Sequence, residues 1–267
     1  MYNLIDTHAH LDELEDLDAS VARARNAGLV AIVAVGSNHE SNVRVMEISQ
    51  QYKSFVYPAF GLHPWEIGTL SKDKLEHTIR FIEDNAASVV AIGEVGLDYD
   101  KRVRKVTPKE QQQEVFRRLL EIAHQHDKPV SIHSRYAWND ALDIVKESKV
   151  KRAVFHWYTG KSSVLKGIIE AHFFISATPA IEYHSEHRQA IKETPQHNLL
   201  LETDCPVAYG RESRYVSEPA DVMRTLRAVS ELKGISEEYI AEQTTSNAMG
   251  LFDLTISASK CKGGTRG

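Results

Sequence analysis

Short apolar runs of four to eight residues recur along the chain, at 3–7, 29–35, 55–62, 89–94, 130–133, 153–156, 173–176 and 199–203. Several are rich in Val, Ile and Phe, the composition of strands buried on both faces of a parallel sheet. Between the runs, apolar positions return every three or four residues. Leu75, Ile79, Ile82 and Ala86 repeat at intervals of 4, 3 and 4, which lays one apolar stripe along a helix. Thr107, Pro108 and Glu110 carry a helix-start signature, with Thr as N-cap, Pro at N1 and Glu at N3. Val115, Leu119 and Ile122 continue that helix. Ser217 and Pro219 open another, carried by Val222, Leu226 and Val229, and Gly28 stands where a C′ glycine ends the first helix.

Eight strands alternating with helices predict a parallel sheet, and eight such units close into a (β/α)8 TIM-type barrel. An open doubly wound sheet is the competing architecture. The length of 267 residues suits one barrel, for which about 250 is typical. No internal repeat or low-complexity run divides the chain, so a single domain is expected over residues 1–256. The remainder, 257–267, is small, polar and glycine-rich and reads as a disordered tail.

Composition narrows the classes. Apolar residues make up 42% of the chain, enough for a sizeable core, and no apolar stretch reaches the ~18 residues of a membrane span. The N-terminal segment turns acidic at once and lacks the basic and apolar regions of a secretory signal. Two cysteines, Cys205 and Cys261, suggest no disulfide framework, and a cytoplasmic setting is expected. A net charge of −5 disfavours non-specific duplex binding through a broad basic face, although bound metal ions would supply the local positive charge that a phosphate needs.

Chemistry concentrates at the strand ends. Strand 1 ends in Asp6-Thr7-His8-Ala9-His10, strand 3 runs into His63-Pro64, strand 4 ends at Glu94, strand 5 at His133-Ser134-Arg135, strand 6 at His156, and strand 8 at Glu202-Thr203-Asp204. A barrel places its active-site groups at the C-terminal ends of its strands. His8 and His10, two apart on a strand, share a face and can reach one ion, and Glu202 and Asp204 have the same relation. Each group alone has a bland reading, as a salt bridge, a hydrogen-bonded core histidine or a packing residue. Together, His8, His10, Glu94, His133, His156 and Asp204 predict a metal site, because coordination offsets the cost of burying such groups. A second His-x-His, at His124 and His126, falls inside a predicted helix, where residues two apart diverge, and is expected at the surface.

The strings DTHAHLD, GLHPW, GEVGLDY, HSR, HWYTG and ETDCP occur in this order from Asp6 to Pro206, within matches that run from Asp6 to about Asn247. In this the chain closely resembles the TatD-type metal-dependent deoxyribonucleases of the amidohydrolase superfamily. The resemblance implies a deformed (β/α)8 barrel with two divalent metal ions. It implies that His8, His10 and Asp204 hold one ion, His133 and His156 the other, and that Glu94 bridges them. Zn, Mn and Mg all suit such a donor set. Asp204 is the candidate proton acceptor for the attacking water. His63 and Arg135 look like phosphate contacts by resemblance, with Arg135 suited to a bidentate grip; a turn residue and a rim ion pair are their alternatives. Glu202 is expected to orient a ligand by hydrogen bonding. The segment 205–216, with Arg211, Arg214 and two tyrosines, is either a solvated loop or a substrate wall with stacking tyrosines. Cys205 is expected to be a buried packing residue rather than a ligand.

Two positions depart from the family pattern. His156-Trp157-Tyr158-Thr159-Gly160 stands where the family commonly has His-Cys-Phe-Ser-Gly, and Ser217 stands in place of a common Asn. The expected function is a metal-dependent hydrolase, an exonuclease-type deoxyribonuclease acting on single-stranded DNA or frayed ends. The alternatives are hydrolysis of a small-molecule amide, ester or lactone, hydrolysis of a D-aminoacyl-tRNA ester, and a non-catalytic metal scaffold. Many superfamily members with small-molecule substrates bridge their metals with a modified Lys, so Glu94 favours the nuclease branch. Structural metal sites are usually closed, which argues against a scaffold. No membrane partner is expected, and a monomer is consistent with everything in the sequence.

Overall fold

Eight parallel strands pair in chain order: β1 (Leu4–Ala9), β2 (Leu29–Val35), β3 (Val56–Phe60), β4 (Ala91–Asp98), β5 (Val130–Arg135), β6 (Ala153–Phe155), β7 (Phe174–Ala177) and β8 (Leu199–Leu201). The structure is a computed structural model that describes residues 2–256. The tail assigned to 257–267, with Cys261, lies outside the described residues. Around the strands run α1 (Leu17–Asn26), α2 (His39–Gln51), α3 (Pro64–Ile67), α4 (Lys72–Asn85), α5 (Lys101–Val106), α6 (Lys109–Gln125), α7 (Trp138–Glu147), α8 (Ser162–Glu170), α9 (Ser185–Glu193), α10 (Val222–Lys233) and α11 (Glu237–Phe252). This is the predicted (β/α)8 barrel, in one domain; the open doubly wound sheet is excluded by strand order. No helix among the described residues is long and apolar enough to cross a membrane.

The runs that read as buried strands are mostly buried, and every position of β2 is. Ile32, Ile92 and Ile132 of the barrel join Ile79, Ile82, Leu119, Leu226 and Val229 of the helices in one contiguous core. Each such side chain contributes about 1.5–3 kcal/mol by leaving water. Between β1 and β8 no ladder forms, and side-chain hydrogen bonds together with two backbone bonds just beyond the strands close the seam. Buried Asp6 accepts from Thr203 N at 3.0 Å and from Thr203 Oγ1 at 2.6 Å, and Thr7 Oγ1 donates to Leu201 O at 2.9 Å. Asp204 N donates to His8 O and His10 N to Cys205 O, both at 2.9 Å. These bonds lock the His8–His10 segment against the Asp204 segment.

Three expectations are corrected. Thr107 does not cap the following helix: α6 starts at Lys109 with Pro108 as its N-cap, and the buried Thr107 hydroxyl accepts from Gly68 N at 2.9 Å. Ser217 does not cap either. Glu218 and Asp221 form a reciprocal capping box, while the buried Ser217 hydroxyl has no hydrogen-bond partner among the described residues. Strand β4 does not end at Glu94; after a register shift between Ile92 and Val95 it continues to Asp98. Gly28 does follow α1, at φ 96°.

His187 braces the loop after β6. Thr178 N donates to its Nε2 at 3.1 Å, so the ring is neutral with its proton on Nδ1, which donates to Tyr158 O at 2.9 Å. Burial holds its pKa down at about 4, against 6.5 in the unfolded chain. The folded state therefore binds fewer protons. The contribution is intact above pH 6.5 and is lost progressively as the pH falls to about 4, where it amounts to roughly 3 kcal/mol. Urea unfolding at pH 7 and pH 4 should show that loss, and a His187→Gln variant should show it reduced by that amount. An unchanged pH dependence would mean that His187 protonates without disturbing the fold.

A candidate metal centre at the C-terminal face of the barrel

Six strand-derived side chains converge at the C-terminal face. Glu94, in the middle of β4, lies at their centre and is 3% exposed. Its two oxygens face different partners. Oε2 lies 3.4 Å from His8 Nε2 and 3.3 Å from His10 Nε2. Oε1 lies 2.8 Å from both His133 Nδ1 and His156 Nε2. Asp204 Oδ1 completes the first group, 3.6 Å from His8 Nε2 and 3.5 Å from His10 Nε2. Gly61 permits this placement, since a Cβ there would stand 2.3 Å from Glu94 O and 2.4 Å from Glu94 N.

Electrostatics fit a cation site. Burial pushes the Glu94 carboxyl up, but the surrounding imidazoles together outweigh it and hold the group well below the usual carboxylate range. Asp204 is held low in the same way, by His10 and its neighbours against burial. His8, between His10 and His156, is pushed below its ordinary pKa by burial and by the charge of His156. His8 Nε2 is buried and makes no hydrogen bond among the described residues. A buried imidazole lone pair without a donor, beside two ionised carboxylates, is what a divalent ion would satisfy. The residues therefore fit a metal. Sets of donor atoms close enough for one ion include His8, His10 and Asp204, and also His63, Glu94 and His133.

His63 differs from the others. It N-caps α3, and its Nδ1 accepts from Trp65 N at 3.2 Å. Burial lowers its pKa to about 4, so it is neutral at physiological pH. With the Nδ1 lone pair engaged, the ring proton sits on Nε2, 3.4 Å from Glu94 Oε1. In that tautomer Nε2 donates and does not ligate.

Three of the other rings have a polar neighbour at the outer nitrogen, whereas His10 Nδ1 is buried and has no hydrogen-bond partner among the described residues. His8 Nδ1 meets Ser131 Oγ at 3.1 Å, and His156 Nδ1 lies 3.5 Å from Glu202 Oε1. Glu202 Oε1 also accepts from Trp157 N at 2.9 Å. His133 Nε2 meets Asp98 Oδ2 at 3.2 Å. Asp98 was not singled out in the sequence. It is fully buried and also accepts from Trp65 Nε1 at 2.6 Å and from Arg135 Nη2 and Nε at 2.9 and 3.1 Å. Burial opposes its ionisation, but His133 and Trp65 outweigh that and hold its pKa low. Its signal was the alternation Glu94, Gly96, Asp98 in an uninterrupted strand.

A cleft of about 950 Å³ opens over the centre. Trp65, Tyr136, Trp138 and Trp157 line it, and Trp65 and Tyr136 are 48% and 63% exposed. Among the described residues Arg135 is the one Lys or Arg in the lining, against Glu13, Glu66 and Glu186. The tyrosines of 205–216 are not stacking platforms. Tyr209 is buried and donates to Thr203 O at 2.8 Å, and Tyr215 sits under the Arg224 guanidinium, outside the lining. Only Pro206 and Val207 of that segment reach the cleft; Ala208–Tyr209 and Tyr215–Val216 pair as a small antiparallel hairpin. Cys205 is a buried free thiol that belongs to no candidate metal group among the described residues. His124 and His126 likewise join none, and His126 is exposed.

The family model described as TatD related DNase matches residues 5–253. The chain belongs to this family. Among the family's members, it is 33% identical over 260 residues to deoxyribonuclease TATDN3 of Homo sapiens, covering 93% of this chain and 94% of the relative. It is 34% identical to YabD of Bacillus subtilis, described as an uncharacterized metal-dependent hydrolase, over 94% of this chain and 99% of YabD. The 3'-5' ssDNA/RNA exonuclease TatD of Erwinia tasmaniensis is 30% identical, over 90% and 95%. The crystal structure of YJJV, a TatD homologue of Escherichia coli K12, superposes with a TM-score of 0.85 at 29% identity, covering 94% and 98%. Within this TatD-related barrel, Trp157 stands where the chain departs from the common sixth-strand motif, and it lines the cleft.

Proposed function

We propose that this chain is a metal-dependent nuclease that hydrolyses phosphodiester bonds in single-stranded DNA or frayed ends. The observation that carries the reading is the division of Glu94, one oxygen toward His8 and His10, the other toward His133 and His156. That arrangement suits two divalent ions, one held by His8, His10 and Asp204, the other by His133 and His156, with Glu94 shared. Zn, Mg and Mn are all compatible with the donors. When bound, such ions make a water easier to deprotonate and neutralise charge on attacking and leaving oxygens.

The chain's own groups supply the rest. Asp204, ionised and 7% exposed at the cleft floor, accepts the proton of the attacking water. The His63 Nε2–H donates to a phosphate oxygen. Arg135 is the second phosphate contact. Its Nε/Nη2 edge is committed to Asp98, so a bidentate grip through that edge is ruled out and Nη1 remains for the phosphate. Trp65, Tyr136, Trp138 and Trp157 offer ring faces to unpaired bases, each stack being worth about 1–3 kcal/mol. The names of the relatives as a deoxyribonuclease and a single-strand exonuclease support the same substrate class. Its place is the cytoplasm, where a free buried thiol such as Cys205 stays reduced.

The test is product release from 5′- and 3′-labelled single-stranded DNA by metal-stripped protein, with Mg²⁺, Mn²⁺ or Zn²⁺ restored. Degradation that needs metal and is lost in Asp204→Ala is the expected result, and the labels give the direction of attack. Metal binding without degradation under any ion would overturn it in favour of small-molecule or aminoacyl-ester hydrolysis.

A further inference from the structure

Although the chain carries a net charge of −5, one of its shortest helices is strongly basic. Helix α5 reads Lys101-Arg102-Val103-Arg104-Lys105-Val106, and all four cations are exposed. Arg102 folds back on Asp100, its Nε 3.1 Å from Asp100 Oδ1. Lys101, Arg104 and Lys105 have no carboxylate within ion-pair distance among the described residues. The other basic run, at 149–152, precedes β6 at the opposite end of the barrel, and its Lys151 and Arg152 are paired with Asp127 and Asp253.

The cleft wall anchors α5 at both ends. Before it, Asp100 N donates to Asp98 Oδ1 at 2.8 Å, on the same carboxylate that holds Trp65 and Arg135. After it, the Thr107 hydroxyl accepts from Gly68 N, and Gly68 packs so closely on Val106 that an added Cβ would lie 2.2 Å from Val106 O. Gly68 ends α3, the turn that carries Trp65. The basic helix is thus fixed against α3, which carries half-exposed Trp65, next to a cleft whose lining among the described residues holds Arg135 and no other Lys or Arg.

We propose that α5 is a phosphate-backbone strip: Lys101, Arg104 and Lys105 hold the part of a single strand that extends past Trp65 and away from the reacting phosphodiester. This deepens the nuclease reading and rests on it. A site that engages only the terminal nucleotides needs no such strip. A longer strand carries one charge per nucleotide, and unpaired cations at a fixed position attract it by releasing its counterions. A helix of six residues is about 9 Å long, room for a few phosphates at most.

The experiment compares metal-loaded wild type with a Lys101→Gln, Arg104→Gln, Lys105→Gln variant on a thymidine 20-mer and on the thymidine dinucleotide. Three lost contacts should lower the log–log salt slope of kcat/KM for the 20-mer by about 2. Between 50 and 200 mM salt the wild type should then lose about 20-fold more than the variant. The dinucleotide, whose one phosphate is the reacting one, leaves none for α5 and should be cleaved equally by both proteins. A Lys101→Arg, Arg104→Lys, Lys105→Arg variant, which keeps the charge, should match the wild type on both substrates. Equal 20-mer cleavage and slope in wild type and the neutral variant would overturn the strip and leave the nuclease reading intact. A parallel loss on 20-mer and dinucleotide would also overturn it, by placing the effect in the centre itself. A wild type that cleaves neither substrate would remove the nuclease reading, and the strip with it.

Discussion

Glu94→Gln should lower metal-dependent hydrolysis by ~10³-fold or more while leaving a folded barrel. Lewis-acid stabilisation of the transition state is worth several kcal/mol, and each ~1.4 kcal/mol is a factor of ten. Glutamine keeps the shape but presents one carbonyl oxygen and one amide, so it serves one histidine group and turns a donor toward the other. On the two-ion proposal, metal content should fall below that of the wild type, toward one ion or none, read by elemental analysis of both purified proteins. Full activity with unchanged metal content would sink the shared-carboxylate arrangement. The fold should survive because the core lies below the site, among residues such as Ile32, Ile92 and Ile132.

Asp98→Asn should have the second-largest effect, roughly 10- to 100-fold in metal affinity or activity, the range expected for a group that orients a ligand from behind. Asp98 holds three side chains at once: His133 through Nε2, Trp65 through its indole N–H, and Arg135 through two N–H groups. An amide cannot accept from all of them, and its NH₂ faces the guanidinium donors. Arg135 and Trp65 should therefore move as well, so KM for an oligonucleotide rises along with the loss in kcat. Chelator competition reads the His133 side of the network, and oligonucleotide KM reads the Trp65–Arg135 side. Wild-type values on both would reduce Asp98 to a bracing residue. Leaving its donors unpaired should also cost about 1–3 kcal/mol of stability.

Much of the barrel was legible because parallel strands buried on both faces leave a local signature, an apolar run of defined length, and the helices between leave a 3.6-residue stripe. The helix starts were less legible. Thr107 and Ser217 have the right chemistry for capping, yet Thr107 is used by Gly68 N and Glu218 caps in place of Ser217. Which oxygen meets an orphan N–H depends on how the preceding loop is drawn across its neighbours. The end of β4 was misplaced because polar residues usually close a strand, whereas here Asp98 stays in the strand, buried by partners from α3 and β5. Tyr209 and Tyr215 looked like exposed loop aromatics, and a hairpin that the sequence did not announce turned them away from the cleft.

The sequence by itself determined the barrel class and which candidate donors would meet, because both rest on near neighbours: strand periodicity puts His8 and His10 on one face, and strand ends collect at one rim of the barrel. Only the tertiary structure decided how those donors divide. The two oxygens of Glu94 facing opposite histidine groups, the proton of His63 on Nε2, the three-way hold of Asp98 and the four-aromatic wall all join residues from different strands and loops. Their orientations follow from barrel closure and long-range hydrogen bonds such as Asp6–Thr203, and no local period in the chain encodes them.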